Sequence, residues 1–214
     1  MRNSSSTLLN APRQPSGQQA PSLSEFHPFA MRLLSRSDLS ALIRLRDEVL
    51  QSLPVEDMYV READEMHFLL SHLGVSAIGQ SGKQCQGGGG VTLGIFDREH
   101  LVAYGMLGLP GGNDPDHLGC FLDLSPEVRA RTAYLTSCMV DPAYRGRSLQ
   151  RRLLAARMSL AQTMGKTFCV AMVSLHNEVS RRNMMQQGLR VSWVGQIEGR
   201  QRQLMTIQLA PDPR

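Results

Sequence analysis

The sequence predicts a single α/β domain built on a mixed central sheet of about seven strands. Two apolar segments, 132–140 and 167–175, each lead into an amphipathic helix, which is the pattern of sheet strands joined to covering helices. Ahead of them, the apolar segments 91–96 and 100–109 flank a short polar turn and predict a hairpin. A chain of 214 residues is long enough to bury one substantial core.

One short strand and two helices precede the hairpin. Residues 30–35 suit a strand, and 35–53 has apolar residues at helical spacing behind a cap at Ser37. In 61–74 the spacing i, i+3, i+4, i+7 predicts a second helix, and the glycine-rich stretch 79–90 predicts a flexible loop. The apolar positions of that second helix are Met66, Leu69, Leu70 and Leu73.

The elements after the hairpin alternate between strands and helices and end in two strands. A polar stretch at 110–119 separates them from the hairpin. Asn177 is a candidate cap for the second of these helices, and Gly188 ends it. In order, the predicted elements are a strand at 132–140, a helix at 147–164, a strand at 167–175, a helix at 178–187 and strands at 190–197 and 203–209.

The charge balance is basic, with a formal net charge of +4 and an isoelectric point of about 9.1. Such an excess suits nucleic acid, an anionic membrane or a phosphorylated cofactor. Aromatic residues make up 5% of the chain, which leaves few stacking platforms, and no apolar run approaches the ~20 residues that cross a bilayer. We therefore expect neither a nucleic-acid nor a membrane partner. The arginines instead cluster at two predicted helix starts, Arg145, Arg147, Arg151 and Arg152 at the first and Arg181 and Arg182 at the second.

The cysteines lack the spacing of a metal-ligand set, and no histidine pair completes one. We therefore expect no metal, and we interpret the cysteines as reduced thiols of a cytoplasmic protein. Most of them are expected in the core, where a thiol packs as a small apolar group. The four are Cys85, Cys120, Cys138 and Cys169.

Residues 1–29 differ in composition from the rest and are expected to lie outside the domain, which we place at 30–214. The segment is rich in Ser, Pro and Gln, contains one acidic residue and lacks the apolar stretch of a secretory signal. A disordered tail is the simpler interpretation. A bacterial export signal or an organellar transit peptide is the alternative, and either would replace the cytoplasmic location.

The most informative segment is 137–154, "SCMVDPAYRGRSLQRRLL". An apolar strand ends at Val140, Pro142 stops it, and an arginine-bearing loop leads into a helix. A helix start carries free backbone N–H groups and a partial positive charge, so it binds anions. Because guanidinium groups bind phosphate oxygens in pairs, the flanking arginines predict a phosphate ligand.

This unit resembles the coenzyme A pyrophosphate loop of the GCN5-related N-acetyltransferases (GNATs), which reads Gln/Arg-x-x-Gly-x-Gly/Ala. Arg145 matches the first position, whereas Ser148 and Gln150 stand where the family has glycine, and glycine or alanine. A serine adds a side chain where glycine lets phosphates approach closely. The predicted order of elements is also that of this family, whose sheet has helices on both faces and splays between its fourth and fifth strands.

The segment after the next strand resembles the second motif of the same family. Met184 falls where the family has a tyrosine, which is often the general acid for the coenzyme A thiolate, and methionine has no proton to donate. The two units together cover roughly 132–195. The positions that match the second motif are Asn177, Ser180, Gly188 and Leu189.

The resemblance implies acetyl-CoA as cosubstrate. Backbone amides of the fourth strand would pair with the pantetheine arm, and the loop with its helix start would wrap the pyrophosphate. The capping asparagine and the serine after it would touch the arm. The implied cofactor-binding residues are Cys138, Met139, Val140, Arg145, Gly146, Arg147, Ser148, Leu149, Gln150, Arg151, Asn177 and Ser180.

No motif identifies the catalytic groups. Acetyl transfer needs a neutral amine, a hydrogen-bond donor to the thioester carbonyl and a proton for the departing thiolate. The candidate acids are His176, Cys138 and Tyr144. The candidate bases are Glu62, Asp64, Glu65 and His67, on the helix that the resemblance places beside the acceptor cleft, and Asp123 before the fourth strand.

The resemblance thus implies an N-acetyltransferase that moves acetyl from acetyl-CoA directly to a primary amine of a small molecule or a protein. Two alternatives stay open. Met184 and Ser148 favour an acyl-CoA-binding sensor or interaction module with little catalysis. The polar N-terminal segment is compatible with an exported effector that acetylates a host protein. Neither the acceptor nor the oligomeric state, monomer or homodimer, follows from the sequence.

Overall fold

The computed structural model describes residues 29–54, 58–59, 63–74 and 89–210. Within these ranges the chain forms seven strands, five α-helices and short 3₁₀ turns. The strands are β1 (Ala30–Leu33), β2 (Gly90–Asp97), β3 (His100–Gly108), β4 (Thr132–Val140), β5 (Phe168–Ser174), β6 (Arg190–Ile197) and β7 (Arg200–Gln208), and the helices are α1 (Leu39–Gln51), α2 (Glu65–Ser71), α3 (Pro126–Ala130), α4 (Leu149–Thr163) and α5 (Glu178–Gln186).

The strands form one sheet in the order β1-β2-β3-β4-β5-β7-β6. β4 and β5 are parallel, and the other neighbouring pairs are antiparallel. The mixed seven-strand sheet predicted from the sequence is confirmed. The strands predicted at 132–140 and 190–197 have the observed bounds.

Helices α1 and α4 lie on opposite faces of the sheet, so the expectation of helices on both faces is also confirmed. Leu42 of α1 packs in one core cluster with Tyr104 of β3. Leu153 of α4 packs in another cluster with Ala103 of the same strand. Ala103 and Tyr104 are consecutive, and successive side chains of a strand point to opposite faces.

Strand β7 begins three residues before the predicted 203, at Arg200. The two-residue turn Glu198–Gly199 has positive φ at both positions, 51° and 72°. Such a turn matches the twist of a hairpin and lets its strands pair from their first residues. The first residues of this strand are polar, so the sequence pattern does not indicate a strand there, although Arg202 and Gln203 are only 2% and 3% exposed.

Two helix predictions need correction. The first helix is capped at Ser35 and not at Ser37, because the Ser35 N–H and Oγ both donate to Asp38 Oδ2, at 2.8 and 3.1 Å. These bonds hold a 3₁₀ turn from which α1 continues at Leu39. Helix α3 is an element that the pattern does not predict, because five residues are too few to show helical periodicity.

Candidate active site

A gap opens between the parallel strands β4 and β5. Their pairing ends at the rung of Tyr134 and Val170, although β4 continues to Val140 and β5 to Ser174. On its other edge β4 stays paired with β3 as far as Val140. The backbone of 135–140 therefore faces the gap without a β5 partner, and the expected splay of the fourth and fifth strands is confirmed. The residues predicted to face pantetheine, Cys138, Met139 and Val140, lie in this segment.

A bulge in β4 lies beside the gap and is held by a buried arginine of α4. The register between β3 and β4 shifts at Ser137, which has φ 27° and no β3 partner. Arg157 is fully buried, and its Nη1 donates to the carbonyls of Met106 at 2.8 Å and Thr136 at 2.9 Å. A Cβ on Gly105 would lie 2.9 Å from the guanidinium, so this glycine makes the room. Burial lowers the pKa of Arg157.

Two residues of the loop before α4 have left-handed backbone conformations, and one of them is a serine. Gly146 has φ 80° and Ser148 has φ 60°, a region that favours glycine. Because Ser148 is not helical, α4 begins at Leu149 and not at the predicted 147. The Ser148 carbonyl accepts the N–H of Arg152 at 3.1 Å. The N–H groups of 149–151 therefore precede the first intrahelical donor and can bind an anion.

The arginines of this loop flank the helix start. Arg145 and Arg147 are exposed. The Nη2 of Arg145 donates to Ser52 Oγ, just after α1, at 2.7 Å. The guanidinium of Arg147 lies 5.0 Å from the centroid of the Tyr144 ring. Both arginines precede the start of α4 by a few residues, so they add positive charge to the loop that leads into the helix start.

Gln150 and Arg151 connect the start of α4 to α5. Gln150 Nε2 donates to Ser180 Oγ at 3.0 Å, and Asn183 Nδ2 donates to Gln150 Oε1 at 2.6 Å. Arg151 Nη1 donates to Gln186 Oε1 at 3.1 Å. The Gln150 side chain, absent from the family pattern, therefore fastens α5. The hydroxyl of Ser180 is engaged in the same network.

Helix α5 begins and packs as its pattern predicts, and the methionine of its second turn is buried. The Oδ1 of Asn177 accepts the N–H of Ser180 at 3.0 Å, which confirms the predicted cap. Met184 is 4% exposed and packs in the core with Leu154 and Ala171. The position that carries a tyrosine in the family is thus part of the core here.

The candidate acids lie in three different surroundings. The Tyr144 hydroxyl donates to Asp97 Oδ2 at 2.9 Å, at the hairpin turn of β2 and β3, and this bond raises the pKa of Tyr144. Cys138 packs against the start of α4, and burial raises the pKa of its thiol. His176 is exposed after β5. No hydrogen bond joins these three within the described ranges. Of the candidate bases, Glu62 falls outside those ranges, and Glu65 Oε1 lies 3.1 Å from Arg46 Nη1.

A cleft of about 880 Å³ reaches the point where β4 and β5 separate. Its walls are β4 from Tyr134 to Ser137, Val170 and Met172 of β5, one side of α2, the end of β3 with the loop after it, and the turn between β6 and β7. The Tyr134 hydroxyl accepts the N–H of Leu118 at 2.7 Å, which leaves its own proton to donate. The other titratable residues of the cleft are Asp64, His67, His72, Asp116, Cys120 and Glu198.

The sequence analysis did not identify two buried polar residues of this region, although both follow a buried leucine at helical spacing. His72 is 2% exposed, and burial lowers its pKa. It follows the apolar Leu69 by three residues and so lies on the same helical face. Arg157 follows Leu153 by four residues in the same way.

Comparison with known proteins decides the family. Residues 50–189 match the model of the Acetyltransferase (GNAT) family. This chain belongs to the GNAT family. No curated protein sequence matches the chain. Among the described residues of this GNAT protein, no cluster of three or more His, Cys, Asp or Glu is placed to hold a metal ion, and no helix is long and apolar enough to span a membrane.

Solved structures share the fold of this GNAT chain at low sequence identity. The YncA protein of Salmonella typhimurium, solved with its cofactor acetyl-CoA, is 19% identical with a TM-score of 0.59, covering 88% of this chain and 100% of that one. The PaiA N-acetyltransferase of Thermoplasma acidophilum, in complex with coenzyme A, is 19% identical with a TM-score of 0.58, covering 85% and 99%. The ribosomal-protein-alanine N-acetyltransferase of Brucella melitensis is 21% identical with a TM-score of 0.58, covering 84% and 99%.

Proposed function

We propose that this chain is an N-acetyltransferase that moves the acetyl group of acetyl-CoA directly to a primary amine. The observation that carries the proposal is a gap between β4 and β5 that joins two different surfaces. Beyond the Val140 end of the gap stands the cationic start of α4. At the Tyr134 end lies the cleft of about 880 Å³. A cosubstrate with phosphates at one end and an acyl thioester at the other suits this arrangement.

The loop and the helix start would bind the pyrophosphate. The N–H groups of 149–151 and the exposed guanidinium groups of Arg145 and Arg147 are donors that suit phosphate oxygens. Gly146 has open space where a Cβ would stand, so the loop surface is accessible there. The unpaired edge of β4 at 138–140 offers N–H and C=O groups to the amides of pantetheine.

The cleft is the proposed acceptor site, and its charge favours a cationic amine. Asp64, Asp116 and Glu198 line it, while none of the lining residues that the structure describes is Lys or Arg. An ammonium group is attracted to such a lining, and an anionic acceptor is repelled. Both a small polyamine and the amino end or lysine of a peptide meet this condition.

Met184 favours a second function, the binding of acyl-CoA with little catalysis. The core position of its thioether supplies no proton for the thiolate. In this second function the Gln150 contacts with α5 would transmit cofactor binding to the protein surface. The two functions share a cofactor site and differ in turnover.

Calorimetric titration with acetyl-CoA, followed by a thiol-release assay on a panel of amines, separates the two functions. The panel contains polyamines, amino-acid amides and peptides with a free N-terminus or lysine, and N-acetylated versions of the same compounds are the matched controls. We expect binding, and turnover on at least one class of free amine. Binding without turnover on any class favours the second function, and no binding of acetyl-CoA contradicts both.

A further inference from the structure

We propose that His72 is the general base of this site and that its Nε2 takes the proton of the bound ammonium. The inference rests on the proposed acetyl transfer to an amine and deepens it. His72 follows α2 directly and lines the cleft, yet it is 2% exposed. Because the imidazole is buried except where it forms part of the cleft wall, a ligand in the cleft can contact it while the rest of the ring is shielded from bulk water.

The imidazole of His72 lies against the last row of paired residues in the sheet before β4 and β5 separate. The registers pair Gly90 with Gly108, Gly108 with Tyr134, and Tyr134 with Val170. β4 and β5 separate directly after that row. The base is therefore placed beside the point at which the cleft and the gap meet.

Two glycines in this row make the room for the imidazole. A Cβ on Gly90 would lie 2.4 Å from His72 Cδ2 and 2.8 Å from Nε2, and a Cβ on Gly108 would lie 3.6 Å from Nε2. The same Gly108 position would have Tyr134 Cβ at 3.3 Å. The Nε2 edge of the ring is thus a neighbour of Tyr134, with a glycine between them.

The hydrogen bonds of His72 select the tautomer that a base requires. Nδ1 lies 2.9 Å from the carbonyl oxygen of Phe68. A carbonyl can only accept, so Nδ1 carries the hydrogen and Nε2 carries the lone pair. Ser71 Oγ, 3.1 Å from Nδ1, donates to the same carbonyl at 2.8 Å. No hydrogen bond within the described ranges involves Nε2, which leaves its lone pair free for a proton.

Burial lowers the pKa of His72, so the imidazole is neutral at pH 7 and able to accept a proton. Titratable groups face the cleft from several elements around it. Asp64 and His67 belong to the α2 region, Tyr134 to β4, Asp116 to the loop after β3 and Glu198 to the turn after β6.

The proposed step balances as follows. The ammonium gives one proton to Nε2 and becomes a neutral amine, and the imidazole becomes imidazolium. The amine lone pair forms the N–C bond to the acetyl carbonyl carbon, the C–S bond breaks, and its electron pair leaves on the coenzyme A thiolate. The second amine proton passes to the thiolate through solvent, and the imidazolium returns its proton to water. One ammonium and one acetyl-CoA give one amide, one coenzyme A thiol and one proton.

The test compares His72→Gln with His67→Gln, a second histidine of the same cleft that is exposed. With an amine selected by the panel above, kcat/KM of the wild type falls as the pH drops through the pKa of His72, below 6.5. In His72→Gln, kcat/KM at pH 7 is expected to fall about 10²-fold or more. The variant should also lose the acidic limb of the profile, which is the fall of kcat/KM at low pH. His67→Gln keeps the limb, whatever its effect on KM. Unchanged acetyl-CoA affinity and melting temperature in His72→Gln establish that the variant is folded.

Two further measurements test the proposal by other routes. The first uses only the wild type and so does not depend on the folding of the variant, and the second needs no amine acceptor. Long-range ¹H–¹⁵N spectra of the wild type are expected to show an unprotonated Nε2 at pH 7. Hydrolysis of acetyl-CoA without amine, in which water replaces the amine, is expected to slow in His72→Gln. A surviving acidic limb, a protonated Nε2 at pH 7 or equal hydrolysis overturns the role of His72. Failure of the proposed acetyl transfer itself is seen separately, as wild-type binding without turnover.

Discussion

The Nη1 atom of Arg157 donates a hydrogen bond of 2.9 Å to the carbonyl oxygen of Thr136. Arg157 lies about two turns after the start of α4, and Thr136 lines the cleft beside the bulged Ser137. A single helix therefore spans the distance from the arginine-bearing loop to the bulge of β4. This bond fixes the relative position of the two ends of the gap.

Arg157→Met is expected to destabilise the fold, because the Met106 and Thr136 carbonyls lose their donor inside the core. Each buried carbonyl without a partner costs about 1–3 kcal/mol, and removal of a lone buried cation offsets part of that loss. We expect a net loss of about 1–3 kcal/mol in urea unfolding, together with weaker acetyl-CoA binding. The exposed Arg190→Met is the control, with a change within about 0.5 kcal/mol. Equal stability of wild type and Arg157→Met would show that the guanidinium does not hold the bulge.

Ser148→Gly is expected to be more stable than Ser148→Ala by about 1 kcal/mol. Both variants lose the hydroxyl that accepts from Arg151, but only alanine keeps a Cβ at φ 60°. Their difference in unfolding free energy therefore isolates the cost of the left-handed conformation. Equal stabilities would mean that the loop relaxes when the side chain changes.

The same pair of variants reports on the cofactor. Tighter coenzyme A binding by Ser148→Gly than by Ser148→Ala indicates that the Cβ crowds the pyrophosphate. Weaker binding by both indicates that the serine hydroxyl donates to a phosphate oxygen. Calorimetric affinities equal to wild type in both variants would place this position away from the cofactor.

Strand bounds could be predicted where apolar runs are bordered by strong turn signals. β4 lies between a polar stretch and Pro142, and its predicted bounds are the observed ones. The backbone of Ser148 could not be predicted, because a serine in sequence gives no sign of a positive φ. For the cleft, the family resemblance placed the second helix beside it, but its full lining could not be predicted, since the walls run from Asp64 to Glu198 and no local pattern links residues so far apart.

Arg145→Ala is expected to weaken coenzyme A binding roughly tenfold to hundredfold, as the loss of a charge-assisted hydrogen bond of ~1.5–3 kcal/mol gives. The affinity of the variant should also depend less on added salt, because one screened charge contact is gone. Ser52→Ala is the matched control, since it removes the protein partner of Arg145 and leaves the guanidinium in place. Its affinity is expected to equal or slightly exceed that of the wild type. An Arg145→Ala variant that binds coenzyme A as tightly as the wild type contradicts the register of the loop.

Met184→Tyr tests whether a missing acid limits turnover. Met184 is 4% exposed in the core, so a larger ring is expected to cost about 1–3 kcal/mol by overpacking. A tyrosine would add a phenol, a proton donor with an ordinary pKa near ~10, at the position where the family carries its tyrosine acid. If that step limits the rate, kcat rises about 10²-fold or more while coenzyme A affinity changes little.

Met184→Phe is the matched control for this prediction, because it adds the ring without the hydroxyl. A gain in kcat that appears in Met184→Tyr and not in Met184→Phe assigns the effect to the proton. Both variants should share the loss of melting temperature, since both add the same ring to the same part of the core. A kcat that stays at the wild-type value in a folded Met184→Tyr shows that thiolate protonation does not limit the reaction. The proton would then come from solvent or from His176, which is exposed after β5.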